Sequence, residues 1–266
     1  MRRIPDLLWR WRGRLGARGV SYEIIRNMRS EALGNARDIE VCLPASYHRG
    51  TRRYPVLYMH DGQNLFHRET SFAEPWRVQE AMRVASRRGV EAIVVAIPNS
   101  GDHRIDEYSP FVSETDGGGK GDVYLDWVTQ VVKPMIDERY RTHPGREHCG
   151  MAGSSMGGLI SLYAFFRPGS PFGFVAALSP SLWFADGAIF PAVEAAAFAP
   201  GRIYLDAGGQ EGPGVLDSAR AMLAQLESKG YDRGRHLRWV EDPRGQHRES
   251  DWGRRLAAAL PFLLSG

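Results

Sequence analysis

Gly153-Ser154-Ser155-Met156-Gly157 sets two adjacent serines between glycines, after a short apolar run and before a longer one. A serine hydroxyl is a weak nucleophile until a neighbouring base takes its proton and a third group holds that base. The pattern G-x-S-x-G is weak alone in a chain with 30 glycines, and its context gives it weight. An apolar strand ends at Ala152, and a periodic apolar helix runs from Met156 to just before Pro168. Such a strand–turn–helix elbow lifts the middle serine, Ser155, above the sheet at the positive end of a helix. Ser154, one position earlier, points elsewhere. The competing reading is a Ser/Gly-rich turn that only caps the helix.

The partners of such a serine follow it in the order acid, then histidine. Six of the eight histidines precede Ser155, which leaves His236 and His247. His236 lies inside a strand pattern, RHLRWV. His247 lies in the turn-rich loop DPRGQHRESDW, where an accessible base can reach a serine, and is preferred. Two carboxylates follow the preceding strand: Asp206 at its end, and Glu211 in AGGQEG. Either could orient the imidazole and stabilise its cation; the loop position favours Glu211. An oxyanion developing at the site needs backbone donors. The N–H of Met156 is one candidate, and Gln63 in HDGQNLF is the other.

The elements that must position these residues read as α/β. Eight segments have strand character: 20–28, 36–43, 53–60, 90–97, 147–152, 173–178, 201–207 and 235–241. Helical patterns fall at 76–88, 123–139, 156–167, 215–229 and 250–264, with Pro134 breaking or kinking the second. From the third strand onward strand and helix alternate, which implies a mostly parallel sheet covered on both faces. The first two strands read as an antiparallel entry. The long segment 98–121 holds DGGGKG and is expected to be mobile or specialised.

The chain has 266 residues, 43% hydrophobic and 24% charged, with a net charge of +3. That suits one domain with a full core, over residues 20–266, and offers no basic stripe for nucleic acid. Residues 1–19 form a basic arm in which Ile4, Leu7, Leu8, Trp11 and Leu15 fall on one helical face. The reading is an amphipathic helix folded back on the domain, with a membrane surface or partner as the alternative. No run spans a bilayer, and the arm lacks the apolar core of a signal peptide; the expected location is the cytoplasm. Cys42 and Cys149 read as buried thiols. No metal-ligand spacing or phosphate loop appears, so no cofactor or metal is expected, and the oligomeric state is left open.

Several stretches together resemble the esterase family of α/β-hydrolases that includes esterase D, enterobactin esterase and the feruloyl and acetyl-xylan esterases. They are VLYMHDGQNLF, IVVAIPNSGDHRIDEYSP, VKPMIDERYRT, AGSSMGGLISLYAF, LSPSLWF and GQHRESDW. The resemblance covers roughly residues 20 to 264. It implies an α/β-hydrolase fold, here an eight-stranded mostly parallel sheet with helices on both faces. It places the nucleophile on Ser155 and the base on His247. The family's G-x-x-D or G-x-x-E acid falls on Gly208-Gly209-Gln210-Glu211. Arg104, Glu107 and Tyr108 on the loop after the fourth strand either bind polar substrate groups or brace the loop. Trp183 after the sixth strand either walls a substrate pocket or belongs to the core. The expected activity is hydrolysis of a carboxylic ester of a small or medium intracellular substrate, a siderophore-type ester among them. An acyltransferase, or a silent binding protein on the same scaffold, is the alternative.

Overall fold

The computed structural model describes residues 12–15 and 20–265. Its main sheet has nine strands in the order β1-β2-β3-β5-β4-β8-β9-β10-β11. They are β1 (Arg12–Leu15), β2 (Ser21–Ser30), β3 (Asn35–Leu43), β4 (Val56–Met59), β5 (Ile93–Ala96), β8 (Cys149–Ser154), β9 (Phe174–Leu178), β10 (Arg202–Gly208) and β11 (Leu237–Asp242). A separate two-stranded ribbon is made by β6 (Val112–Ser113) and β7 (Gly117–Gly118). All eight expected strands are present, and the six from β5 to β11 run parallel. The antiparallel entry is β1, β2 and β3.

Strand β1 is the unexpected ninth. The helical periodicity of the arm extends through Leu15, but Arg12–Leu15 instead pair with β2 at the sheet edge. The backbone hydrogen bonds offered by an open edge outweigh a weak local helix preference. Residues 1–11 and 16–19 of the arm lie outside the described residues.

The helices are α1 (Val78–Ser86), α2 (Arg104–Glu107), α3 (Gly121–Trp127), α4 (Lys133–Arg139), α5 (Met156–Phe166), α6 (Phe184–Gly187), α7 (Ile189–Ala195), α8 (Pro213–Ser228) and α9 (Glu249–Leu264). Strand side chains alternate between the two layers. Val56 and Tyr58 of β4 pack with α3, α4, α5, α7 and α8, while Leu57 and Met59 face α1 and α9. Strands β4, β5, β8 and β9 are buried along their whole length, as a parallel sheet covered on both faces requires. Cys42 and Cys149 are buried free thiols.

The expected helix over 123–139 divides. Between α3 and α4, Val128–Val132 form a π-helical turn, and Pro134 falls in the first turn of α4. The wider turn absorbs the missing proline N–H without a sharp break. The segment 98–121 is specialised: it folds as a short 3-10 turn, α2 and the β6–β7 ribbon. No described helix is long and apolar enough to cross a membrane.

Helix α9 meets the segment before α1 at Gly253, where a Cβ would lie 2.0 Å from the Trp76 carbonyl oxygen. Helix propensity alone favours Gly253→Ala by about 1 kcal/mol. Overpacking against backbone costs about 1–3 kcal/mol and should exceed it. Urea unfolding of Gly253→Ala should therefore show a lower midpoint than wild type. A higher midpoint would show that α9 stands clear of Trp76.

Candidate active site

Ser155 sits between β8 and α5 with φ 56° and ψ −125°, a conformation that side-chain-bearing residues rarely adopt. Strain of this kind costs about 1–3 kcal/mol and persists only where the surroundings impose it. Here the Ser155 N–H donates to the Leu178 carbonyl (3.1 Å). The Ser155 carbonyl accepts the N–H of Leu159 (3.0 Å) and of Ser181 (3.0 Å). The flanking glycines are steric requirements. A Cβ on Gly153 would lie 2.6 Å from the Gly157 backbone, and one on Gly157 would press on His60 at 3.2 Å. Ser154 is buried at the end of β8, as its place one residue earlier implies. The Ser155 hydroxyl is 3.1 Å from the Ser181 hydroxyl.

The loops after β10 and β11 bring the other candidates together. His247 Nδ1 lies 3.1 Å from Glu211 Oε2, with the imidazole 39% exposed and the Glu211 side chain buried. A carboxylate there accepts the Nδ1–H and leaves Nε2 with its lone pair free. The imidazole meets the Trp252 ring edge-on, with centroids 4.8 Å apart. The other oxygen, Glu211 Oε1, accepts from the Ser179 hydroxyl (2.7 Å), the Gly208 N–H (3.1 Å) and Arg255 Nη2 (3.1 Å). Burial raises this carboxyl, and the hydrogen bonds from His247 and Ser179 with the charge of Arg255 outweigh it, holding it below the usual range. Asp206, the alternative acid, is wholly buried and takes the Ser179 N–H at 2.9 Å. The histidine of the strand pattern, His236, packs against Phe198 and Tyr231 before β11.

The loop after β4 lies against the start of α5 through His60 and Asp61. His60 is buried, with Nδ1 on the Tyr124 hydroxyl at 2.9 Å, and burial pushes its imidazole down to about 3. Burial raises the Asp61 carboxyl, but Arg104 and Asn99 outweigh it and keep it ionised. Arg104 grips Asp61 through Nε (2.8 Å) and Nη2 (2.9 Å). Gln63 follows in a 3-10 turn, its side-chain oxygen accepting the Asn99 N–H at 3.1 Å. Met156 is the first residue of α5, where backbone N–H groups have no partner within the helix.

The rim residues divide. Trp183 follows β9 and is 54% exposed, so it does not belong to the core. Arg104 braces the loop after β4. Glu107 and Tyr108, the other two candidates for polar substrate contact, are buried and structural. Glu107 makes a two-pronged ion pair with Arg37 of β3 (2.8 and 2.9 Å) and accepts from Asn35. The Tyr108 hydroxyl accepts the Asp61 N–H at 3.0 Å. A charged residue on a loop reads from sequence as exposed; the partner that buries Glu107 lies 70 residues earlier. Ser179, Ser181, Trp252 and Arg255 also touch the candidate residues, and no motif marks them for that role. Ser179 and Ser181 stood within LSPSLWF, and Trp252 five residues after His247. Among the described residues no cluster of His, Cys, Asp and Glu could hold a metal ion.

Sheet order and the elbow between β8 and α5 define an α/β-hydrolase fold. The family model described as "Putative esterase" matches residues 30–263, and the chain belongs to that family. Carboxylic ester hydrolysis is the chemistry of this family. Uncharacterized protein YbbA of Bacillus subtilis (strain 168) is 29% identical over 217 residues, 76% of this chain and 82% of that protein. The siderophore triacetylfusarinine C esterase of Aspergillus fumigatus is 32% identical over 136 residues, 48% of this chain and 44% of that protein. The crystal structure of an IroE-like serine hydrolase from Shewanella oneidensis shares the fold, with a TM-score of 0.74 at 19% identity over 90% of this chain and 80% of that one.

Two stability predictions follow from this geometry. Glu107→Gln leaves Arg37 buried without a counter-charge and should cost about 3 kcal/mol by denaturant unfolding. Its kcat below the melting range should stay within about threefold of wild type, and a collapse in kcat without loss of stability would return Glu107 to the substrate. The second concerns Asp206, which burial pushes up to about 7 against the pull of Arg255. A carboxyl raised in the folded state keeps its proton there while the unfolded chain releases it. Stability from this group is therefore present below about pH 4 and lost as pH rises to about 7. Asp206→Asn should flatten that fall and give a higher Tm than wild type at pH 8. A lower Tm at pH 8 with an equal one at pH 5 would contradict it.

Proposed function

We propose that this protein is an esterase that works through Ser155, His247 and Glu211 by way of an acyl-enzyme. The observation that carries the reading is the 3.1 Å contact of His247 Nδ1 with Glu211 Oε2, at the end of the sheet where the strained Ser155 stands. His247 Nε2 takes the Ser155 proton as the hydroxyl oxygen attacks the ester carbonyl. Glu211 holds the tautomer and stabilises the imidazolium. The N–H groups of Met156 and Gln63 receive the developing oxyanion; both belong to segments that pack together through His60 and Gly157. Protonated His247 hands its proton to the departing alkoxide, and a water activated by the same imidazole releases the acid. The Ser181 hydroxyl is the resting partner of Ser155 and gives it up when substrate enters.

The substrate we favour is a small or medium ester of the siderophore type. Similarity over half the chain to a siderophore triacetylfusarinine C esterase supports it, as does the exposed Trp183, an apolar surface for the non-polar part of such an ester.

Ser155→Ala should reduce kcat at least 10⁴-fold, and Ser154→Ala should retain the fold and much of the rate. Glu211→Gln should lower kcat more than Asp206→Asn does. The assay is a panel of p-nitrophenyl esters of rising chain length beside a catecholate trilactone, a hydroxamate ester and a feruloyl ester. Full turnover by Ser155→Ala would sink the nucleophile assignment. Preference for a feruloyl or long acyl ester over both siderophore types would sink the substrate class.

A further inference from the structure

The carboxylate of Glu211 is divided in its duties. Three donors converge on Oε1 and one imidazole nitrogen on Oε2. Two of the three donors are organised by a single residue of α9. Arg255 is 3% exposed, and its Nη2 donates to Glu211 Oε1 at 3.1 Å and to the Ser179 hydroxyl oxygen at 2.8 Å. Ser179 is also fixed by its N–H on Asp206 and by the Trp252 indole N–H on its hydroxyl oxygen (3.1 Å). With two donors onto that oxygen, the Ser179 proton has one direction left, toward Glu211. On its other side Arg255 faces Asp206, Nε to Oδ2 at 3.4 Å. Trp252 and Arg255 are three residues apart on α9 and so share a face. One turn of the last helix thus touches the imidazole of His247, the hydroxyl of Ser179 and the carboxylate of Glu211.

We propose that Arg255 is the positioning residue of the triad: it clamps Glu211 Oε1 between itself and Ser179 so that Oε2 faces His247, and Asp206 closes the other side of the clamp. The inference rests on the assignment of Glu211 as the acid. Arg255 touches neither substrate nor the reacting atoms and acts through the carboxylate. It is also a charge partner. Glu211 and Asp206 are two carboxylates buried beside one guanidinium. The other titratable groups around the cluster are His247 on the loop before α9, Tyr204 on β10 and Asp242 at the end of β11. Among the described residues, His247, when protonated, is the one further cation directly on Glu211. With Arg255 gone, two carboxylates share a dry site and retain a proton to higher pH. Glu211 then serves His247 only after that proton leaves.

The test is the pH profile of kcat for Arg255→Met, Arg255→Lys and the double variant Arg255→Met/Asp206→Asn. Activity is measured from pH 5 to 10 with a p-nitrophenyl ester, and Tm is measured alongside. Arg255→Met should lower kcat at pH 7 by 10- to 100-fold with little change in KM, and move the acid limb up by at least one pH unit. Arg255→Lys, which keeps the charge and loses the fork, should recover part of the rate and most of the limb position. The double variant, which removes the competing carboxylate with the guanidinium, should bring the limb back toward wild type. If Arg255→Met does not fold, the lysine and double variants carry the test. Limbs that stay in place in every folded variant, whatever happens to Tm, overturn the proposal. Glu211→Gln, run in the same series, separates the two readings. Wild-type kcat in Glu211→Gln removes the acid assignment itself, whereas a crippled Glu211→Gln beside unmoved Arg255 limbs removes only the clamp.

Discussion

Ser155 occupies a backbone conformation that costs about 1–3 kcal/mol, so the surrounding fold must hold it there. What holds it is the end of β9. The Leu178 carbonyl takes the Ser155 N–H, and the Ser181 N–H returns to the Ser155 carbonyl. The same short stretch contains a second residue with positive φ, Ser179 at 41°. That twist sends the Ser179 N–H to Asp206 and its hydroxyl to Glu211. Four consecutive residues at one strand end therefore connect the candidate nucleophile to the candidate acid. The parallel register of β8, β9 and β10 makes this possible, because Ser154, Leu178 and Asp206 lie side by side at the finishing ends of their strands.

The parts of the site that the sequence disclosed are those for which backbone geometry dictates residue type. The glycines at 153 and 157 leave no room for a Cβ, and that exclusion is visible as a motif. Chain order left two histidines to choose between, and a turn-rich loop favoured His247. Loop position and the family's G-x-x-E pattern favour Glu211 over Asp206, and the structure puts Glu211, rather than Asp206, beside the imidazole. The residues that the sequence hid owe their roles to partners far along the chain. For Glu107 and Tyr108 the sequence leaves substrate contact and loop bracing equally open, and their buried contacts with Arg37 and Asp61 are of the bracing kind. Arg255 reads as an ordinary polar position on an amphipathic helix. Its burial is tolerated because carboxylates from two other segments meet it, and a one-dimensional pattern carries no trace of that meeting.

The fold was legible for a related reason. Apolar strands buried on both faces and the amphipathic helices between them announce a parallel sheet with two covering layers. What escaped was decided by small energies. Strand β1 pairs with β2 at the sheet edge. The β6–β7 ribbon is two residues long on each side and depends on glycines at 117 and 118. The π-helical turn ahead of Pro134 is a local answer to a missing donor, and a proline in a helical pattern signals an interruption without saying which kind.

The central claim is that an acyl group passes through Ser155. The most direct measurement mixes the enzyme with a slowly released p-nitrophenyl ester, quenches in acid within seconds, and locates the acyl mass by peptide sequencing. The expected result is a burst of nitrophenol of about one per enzyme, with the added acyl mass on Ser155 in the peptide that also contains Ser154. An acyl group on Ser154 or Ser181, or a full burst with Ser155 unmodified, would contradict it.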